Sequence, residues 1–341
     1  MANLSAFLHA PTPCFFSSSH TRPSLSSKRT TDCSSMSASA RVAVVGDVHD
    51  DWNLEEDTKA LQLLQPDLVL FTGDFGNENV ELVQSVADLK FPKAVILGNH
   101  DSWYTQKFSQ KTKDGVQLQL DCLGKEHVGY KRLDFPELKL SVVGGRPFSC
   151  GGEQLFRNKL LSARYGVQDM DGSAMRIYHT ALGTPEDHLL ILLAHNGPTG
   201  LGSNLNDICG KDWVFGGGDY GDPDLAQAIS HLKEKTSLNI PLIVFGHMHK
   251  ELAYGNGLRK MLVVGSDKTI YLNGAIVPRV KRISGDDRSS TDSRGTWRGF
   301  TLVEILEGTV DKIAETWVSV NGDITSIEEE HILFKCGNIA S

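Results

Sequence analysis

The sequence has few cysteines, and they do not form close pairs. Six Cys occur in 341 residues, and no two of them have the CxxC spacing that is typical of zinc ribbons. Small domains held together by disulfides need a much higher density of cysteine. A disulfide scaffold and a thiolate zinc site are therefore not expected. The composition, 40% hydrophobic and 22% charged, is instead that of a globular protein.

Long apolar runs and blocks of basic residues are also missing. The longest purely apolar run is Leu189 to Ala194, whereas a membrane-spanning helix needs roughly 20 such residues. Lys and Arg form no cluster along the body of the chain, and the formal net charge is −8. Because nucleic-acid surfaces need clustered cations, we expect neither a membrane nor a nucleic acid as a partner.

The first 40 residues differ in composition from the remainder. They contain 11 Ser, four Thr, three basic residues and one acidic residue. A leader that is rich in Ser and poor in acids is typical of an organelle transit peptide, and the excess of Ser over Arg favours the chloroplast stroma over the mitochondrion. We expect cleavage near residues 36–40. The alternative is a disordered tail without a targeting role. Without these residues the body has a formal net charge of −10.

From residue 41 onward, short apolar runs alternate with segments of helical spacing. Strands are predicted at 41–46, 67–71, 93–97, 140–144, 189–194 and 241–245, and helices at 54–65, 80–89 and 223–235. Shorter β-like runs follow as far as residue 318. This order predicts one α/β domain over residues 41–335, with a mostly parallel sheet covered by helices.

Five of the predicted strands end in residues that can bind metal ions. In α/β sheets, ligands bind beyond the carboxyl ends of the strands. A single Asp or His after a strand is usually a turn former or a structural residue, but no structural rule requires such residues at five edges. The residues are Asp47 and His49; Asp74; Asn99, His100 and Asp101; His195; and His247 and His249.

Imidazole, carboxylate and amide oxygen without thiolate suit Mn, Fe or Zn. These ligands are too many for one ion, whereas two ions that share a carboxylate would use them. Such a pair can hold a bridging hydroxide and bind a phosphate ester for attack at phosphorus. The chemistry of the strand ends therefore predicts a site with two metal ions.

These strand ends carry a sequence of motifs that is similar to one known family. The order Gly46-Asp-Val-His49, Gly73-Asp74, Gly98-Asn-His-Asp101, His195 and Gly246-His-Met-His249 resembles the signature of the calcineurin-like metallophosphoesterase superfamily. The resemblance implies two mixed β-sheets that pack as a sandwich and are flanked by helices. It also implies hydrolysis of a phosphate ester, as a phosphatase or a phosphodiesterase, by a hydroxide that bridges two metal ions.

The same resemblance implies a role for each residue. One ion would be held by Asp47, His49 and His249, the other by Asn99, His195 and His247, and Asp74 would bridge them. His100 would bind the phosphate or protonate the leaving oxygen, and Asp101 would orient His100. Every metal position is intact. The alternative of a catalytically silent scaffold that binds a protein partner is therefore disfavoured.

The segment after Gly73-Asp74 departs from two known subgroups. It reads Phe75-Gly-Asn-Glu-Asn79, so it lacks the arginine with which related protein phosphatases bind phosphoproteins, and Asn77 stands where purple acid phosphatases have a tyrosine ligand. We therefore expect a phosphorylated small molecule or a nucleotide as substrate. Asn77 and Arg146 are candidates for contact with it, and Trp213 or Tyr220 is a candidate for stacking on it.

Overall fold

Two β-sheets run through the part of the chain that the computed structural model describes, residues 39–108, 112–283 and 295–337. All of these residues belong to one compact unit, Ser37–Ser341. The predicted transit peptide, residues 1–40, lies outside the described residues except for its last two, and it stays a prediction.

The described residues form thirteen strands and six α-helices. The strands are β1 (Ala40–Val45), β2 (Leu68–Phe71), β3 (Lys93–Val95), β4 (Arg132–Phe135), β5 (Leu140–Gly144), β6 (Leu189–Leu193), β7 (Leu242–Phe245), β8 (Leu262–Val264), β9 (Ile270–Asn273), β10 (Val280–Arg282), β11 (Thr296–Leu306), β12 (Thr309–Asn321) and β13 (Ile324–Lys335). The helices are α1 (Leu54–Leu64), α2 (Val80–Ala87), α3 (Gly115–Leu123), α4 (Asn158–Tyr165), α5 (Met170–Ala181) and α6 (Pro223–Lys235). None of these helices is long and apolar enough to cross a bilayer.

Both sheets combine parallel and antiparallel strands. The first has the order β13-β12-β11-β1-β2-β3, with β10 paired to β11, and only β1, β2 and β3 are parallel to one another. The second has the order β4-β5-β6-β7-β9-β8, with antiparallel strands at its two edges. The C-terminal strands are therefore more antiparallel than the sequence predicted.

Alternation of side chains along the strands builds the sandwich. Val42 and Val44 of β1 contact an apolar cluster that includes Ile191 and Leu193 of β6, so this cluster lies between the sheets. Residues of opposite parity, such as Val45, belong to a second cluster shared with the helices. Because side chains of a strand point alternately to its two faces, each sheet buries one face on the other sheet. The predicted fold class, two mixed sheets flanked by helices, is confirmed.

Three strands, β4, β10 and β13, were not predicted from the sequence, and the two longer ones show why. β13 contains three consecutive glutamates and is exposed along most of its length, because it lies at the edge of the first sheet. β4 lies in a segment for which no strand was predicted, and its four residues are only partly buried. Both strands lack the buried apolar run that identifies a central strand.

A buried ionic cluster ties α1 to the first sheet. The Asp57 carboxylate lies 2.7 Å from Arg279 Nη2 and 2.6 Å from Arg298 Nη1. All three side chains are almost fully buried. Removing the carboxylate would leave the buried Arg279 without its carboxylate partner and Arg298 with Glu56 alone.

We expect Asp57→Ala to lower the free energy of unfolding by about 3–5 kcal/mol, the usual cost of breaking a buried ion pair. Urea unfolding followed by circular dichroism measures this. The matched control is Glu304→Ala, which removes a half-exposed carboxylate 3.7 Å from Arg41 and should cost less than about 1 kcal/mol. Equal losses in the two variants would contradict the assignment of Asp57 as the anchor.

Candidate metal centre

The two sheets bring the carboxyl ends of five strands together. The loops after β1, β2 and β3 in the first sheet carry Asp47 and His49, Asp74, and Asn99, His100 and Asp101; those after β6 and β7 in the second carry His195, His247 and His249. The backbone N–H of His247 donates to Asp47 Oδ1 across 3.0 Å, and this bond connects the two sheets directly.

Four of these residues have backbone conformations that L-amino acids seldom adopt. The φ angles are 39° at Asp47, 44° at His49, 51° at Asp74 and 66° at His247. Each such residue costs on the order of 1–3 kcal/mol, and residues of this kind cluster at functional sites. The fold therefore accepts local strain where these side chains converge.

One group of possible metal ligands consists of Asp47, His49 and His249. Nε2 of His49 and Nε2 of His249 are 3.0 Å apart, and Nε2 of His249 is 3.4 Å from Asp47 Oδ2. Asp47 Oδ2 is buried and accepts no hydrogen bond. A carboxylate oxygen in this state is costly unless a cation compensates it.

A second group consists of Asp74, His195 and His247. His195 Nδ1 donates to the Thr72 carbonyl oxygen across 2.7 Å, which directs Nε2 toward Asp74 Oδ2 at 3.4 Å and Asn99 Oδ1 at 2.9 Å. A ligand histidine is commonly held in this way by a bond from its other ring nitrogen. Thr72, which the sequence did not single out, therefore positions His195.

Asp74 lies between the two groups. Its Oδ2 is 3.4 Å from His195 Nε2 in the second group and 4.0 Å from His49 Nε2 in the first. Its Oδ1 accepts a hydrogen bond of 2.9 Å from the backbone N–H of His100. One carboxylate oxygen is thus within reach of both groups, which is the arrangement that a shared ligand requires.

The electrostatics of the two groups fit cations. Burial would lower the pKa of His195, but the Asp74 carboxylate outweighs burial and raises it to about 10. Burial would raise the pKa of Asp47, but the adjacent His249 imidazole and the charge on His195 hold it below its ordinary value. In each group, three nitrogen or oxygen atoms that can bind a metal lie within 4.8 Å of one another. The residues fit a dinuclear metal site.

Glycines let the loops approach one another closely. A Cβ on Gly98 would lie 2.3 Å from Asp74 Oδ1, and a Cβ on Gly246 would lie 2.2 Å from Asp47 Oδ1. Neither position has room for a methyl group, so both carboxylates depend on a neighbouring glycine.

His100 is oriented by Asn77, and not by Asp101 as the sequence predicted. His100 Nδ1 lies 2.7 Å from Asn77 Oδ1, and the ring stacks on Trp103 with centroids 4.6 Å apart. Asn77, expected to contact substrate, thus contacts the imidazole. The two residues are 23 apart in sequence and lie in different loops, so local sequence spacing gives no sign of this hydrogen bond.

Asp101 instead organises the backbone. It is fully buried, and its carboxylate accepts bonds from the N–H groups of Gly98 (2.7 Å), Asp74 (2.9 Å) and Phe75 (2.9 Å). Burial and the neighbouring Asp74 carboxylate raise the pKa of Asp101 well above its usual value. Asp101 therefore joins the loop after β2 to the loop after β3.

Arg146, the other predicted substrate contact, is only 2% exposed and does not line the cleft at the metal ligands. It pairs with Asp222 at 2.9 Å and with Asp224 at 2.9 Å. Because both carboxylates are buried beside it, this placement gives Arg146 a structural role. Asp222 is the N-cap residue of α6, but its side chain serves this ion pair and caps no helix amide.

A cleft of about 380 Å³ opens onto the candidate ligands. Trp213, Tyr220 and Met248 supply apolar surface, and Trp213 is 46% exposed. Trp213 and Tyr220 meet edge to face with centroids 4.9 Å apart. Both aromatic side chains therefore lie where the sequence placed the rim of the site.

The family of calcineurin-like phosphoesterases matches residues 40–251, the part of the chain that supplies every candidate ligand. The chain belongs to this family. No curated protein matches the sequence. Among solved structures, the chain is similar to a dimetal phosphatase from Danio rerio, with 9% identity and a TM-score of 0.40, over 87% of this chain and 99% of that one.

Two further solved structures are similar to this calcineurin-like phosphoesterase. One is PhoD, with 12% identity and a TM-score of 0.44 over 85% of this chain and 68% of that one. The other is a conserved uncharacterized protein, described as a predicted phosphoesterase, from Streptococcus pneumoniae. It has 11% identity and a TM-score of 0.31 over 86% of this chain and 98% of that one.

In this member of the family, Gly98→Ala should displace Asp74 and reduce the bound metal from two ions per chain to one or none, as measured by elemental analysis after dialysis. The control is Gly172→Ala on α5, where the new Cβ would meet a single atom, Asp169 Oδ1, at 3.1 Å. Two ions retained in Gly98→Ala would contradict the close approach.

Proposed function

We propose that the chain hydrolyses a phosphate ester at two metal ions. Asp47, His49 and His249 would hold one ion and Asn99, His195 and His247 the other. The observation that carries this proposal is the position of Asp74 Oδ2 between the two groups. When bound, two such ions lower the pKa of water and offset the negative charge of the phosphate. The donor set favours Mn, Fe or Zn.

His100 is the group that we assign to proton transfer. Its Nδ1 is engaged by Asn77 Oδ1, which fixes a proton on that nitrogen, and the side chain lines the cleft. Nε2 therefore remains for the substrate. An imidazolium held in this way can give its Nε2 proton to the oxygen that leaves phosphorus, so that the alcohol departs neutral. Trp103 limits rotation of the ring by stacking on it.

The walls of the cleft favour a small substrate. Arg259 is the one cation among the described lining residues, and it is already paired with Asp212 at 3.1 Å and buried. An additional phosphate would therefore find no free cation on these walls, whereas the exposed face of Trp213 offers a stacking surface for a planar group. We infer that the substrate is a phosphorylated small molecule or a nucleotide.

Asp74→Asn should abolish most hydrolysis of p-nitrophenyl phosphate and of bis(p-nitrophenyl) phosphate, because it removes the carboxylate that both groups share. Activity is measured on protein that starts near residue 41, with Mn, Mg, Fe or Zn added, and circular dichroism confirms the fold. Near-normal turnover in the variant would contradict the mechanism. Two bound ions in the unmodified protein with no hydrolysis of either ester would instead favour the scaffold that binds a partner.

His100→Gln should impair the hydrolysis of esters with strongly basic leaving groups most. We expect a loss of about 10²–10⁴-fold in kcat for phenyl phosphate, and a much smaller loss for p-nitrophenyl phosphate, whose leaving group departs without a proton. Asn77→Ala, which leaves the imidazole in place but unanchored, serves as the matched variant and should show a weaker form of the same pattern. Equal losses for the two esters would exclude proton donation by His100.

A further inference from the structure

A second cavity, of about 720 Å³, shares no described lining residue with the metal cleft. It lies where the start of α3, the end of α4 and the side of α5 meet. Its volume is in the range of about 300–1,000 Å³ that is usual for sites of small molecules.

Basic side chains from four segments of the chain converge on this cavity. They are Lys113, Lys131, Arg164 and Arg176. Lys113 pairs with Asp121 at 2.5 Å, and Asp114 is the acidic residue among the described lining residues. No ion pair within the described chain joins a carboxylate to the other three cations. A formal surplus of two positive charges therefore remains.

Aromatic rings hold the two arginines without neutralising them. The guanidinium of Arg164 lies 5.5 Å from the centroid of Phe108 and donates to Gln117 Oε1, and that of Arg176 lies 5.8 Å from the centroid of Tyr130. A cation that stacks on a ring keeps its charge and its donors for a ligand. By contrast, the buried arginines of the core all face carboxylates, as Arg279 faces Asp57.

One lining residue of this cavity, Tyr165, carries a buried hydroxyl. Tyr165 is 7% exposed, and its hydroxyl beside Arg164 makes no hydrogen bond of normal geometry. Burial raises the pKa of Tyr165 to about 12, so the hydroxyl keeps its proton as a donor. A buried donor without an acceptor is costly, so an anion that drew the Tyr165 hydroxyl toward the cavity would relieve this cost.

The positive potential also reaches a neighbouring core residue. Burial lowers the pKa of His127 to about 3, and the charges of Lys131 and Arg164 act in the same direction. This effect is local, since the chain as a whole carries a formal net charge of −8.

We propose that this cavity binds a small molecule that carries a phosphate dianion, at a site separate from the metal centre. Guanidinium groups match phosphate oxygens through paired hydrogen bonds, and two negative charges match the local surplus. The anion is either inorganic phosphate, which the proposed reaction would release, or a phosphate group on an organic molecule. The two sources share this chemistry.

Calorimetric titration of the metal-loaded chain with inorganic phosphate tests the proposal. We expect two classes of site. In Arg164→Gln and in Arg176→Gln, one class should weaken about tenfold or more while hydrolysis persists, since a charge-assisted bond is lost. In Asp74→Asn the pattern should reverse, with the class at the metal centre lost and the other retained. These variants therefore distinguish a failure of this proposal from a failure of the proposed reaction.

Phenylphosphonate, which cannot be hydrolysed, is the organic probe. Tighter binding of phenylphosphonate than of inorganic phosphate at the same class of site would identify an organic ligand.

Arg282→Gln on β10 is the matched control, because it removes an exposed arginine from a segment outside this cavity. It should leave both classes unchanged, and Arg164→Lys should bind more tightly than Arg164→Gln. A single class of site would overturn the proposal, and so would equal weakening in Arg282→Gln. The proposal would also fail if sulfate and chloride bound as tightly as phosphate at matched ionic strength. Binding of an acidic peptide in place of either phosphate probe would also overturn it.

Discussion

The metal centre depends on the hydrogen bonds that the Asp101 carboxylate accepts from the backbone. The carboxylate accepts three backbone N–H bonds, from residues in the loops after β2 and β3, and so fixes the distance between these loops. Asp74 and His100 are placed by the same two loops, and their own bond of 2.9 Å follows from that spacing. The strained φ at Asp74 persists because the surrounding bonds leave the backbone no alternative.

The positions of the candidate ligands were predictable because they follow from strand geometry. An apolar run that ends in Gly-Asp or Gly-His is visible in the sequence, and parallel strands of one sheet end at one edge. That His195 and His247 come from a different sheet than Asp47 could not be read from the residues alone. The family resemblance implied two sheets but did not say which ligands each sheet would carry. The helices α1, α2 and α6 were predicted to within a few residues, because their caps and apolar spacing are local, whereas α3, α4 and α5 were not delimited from the sequence.

The expectations that changed concern contacts made through space. Arg146 in a glycine-rich turn has the sequence appearance of a phosphate contact, yet two carboxylates that are 76 and 78 residues away claim its charge. Asn77 holds His100 in the way expected of Asp101, whereas Asp101 binds backbone N–H groups, because each role is decided by which polar groups the folded loops bring near. β13 was missed because an edge strand carries no buried pattern.

The division of the ligands between two sheets has a thermodynamic consequence. Asp47 belongs to one layer of the sandwich and His249 to the other, so their shared group exists only when the layers are closed. Any ion that prefers this closed arrangement adds RT ln(1 + [ion]/Kd) to stability, about 2.7 kcal/mol when the free ion is at 100 times Kd. The centre would then act as a clasp between the layers, and the supply of metal would set how firmly the whole domain is folded.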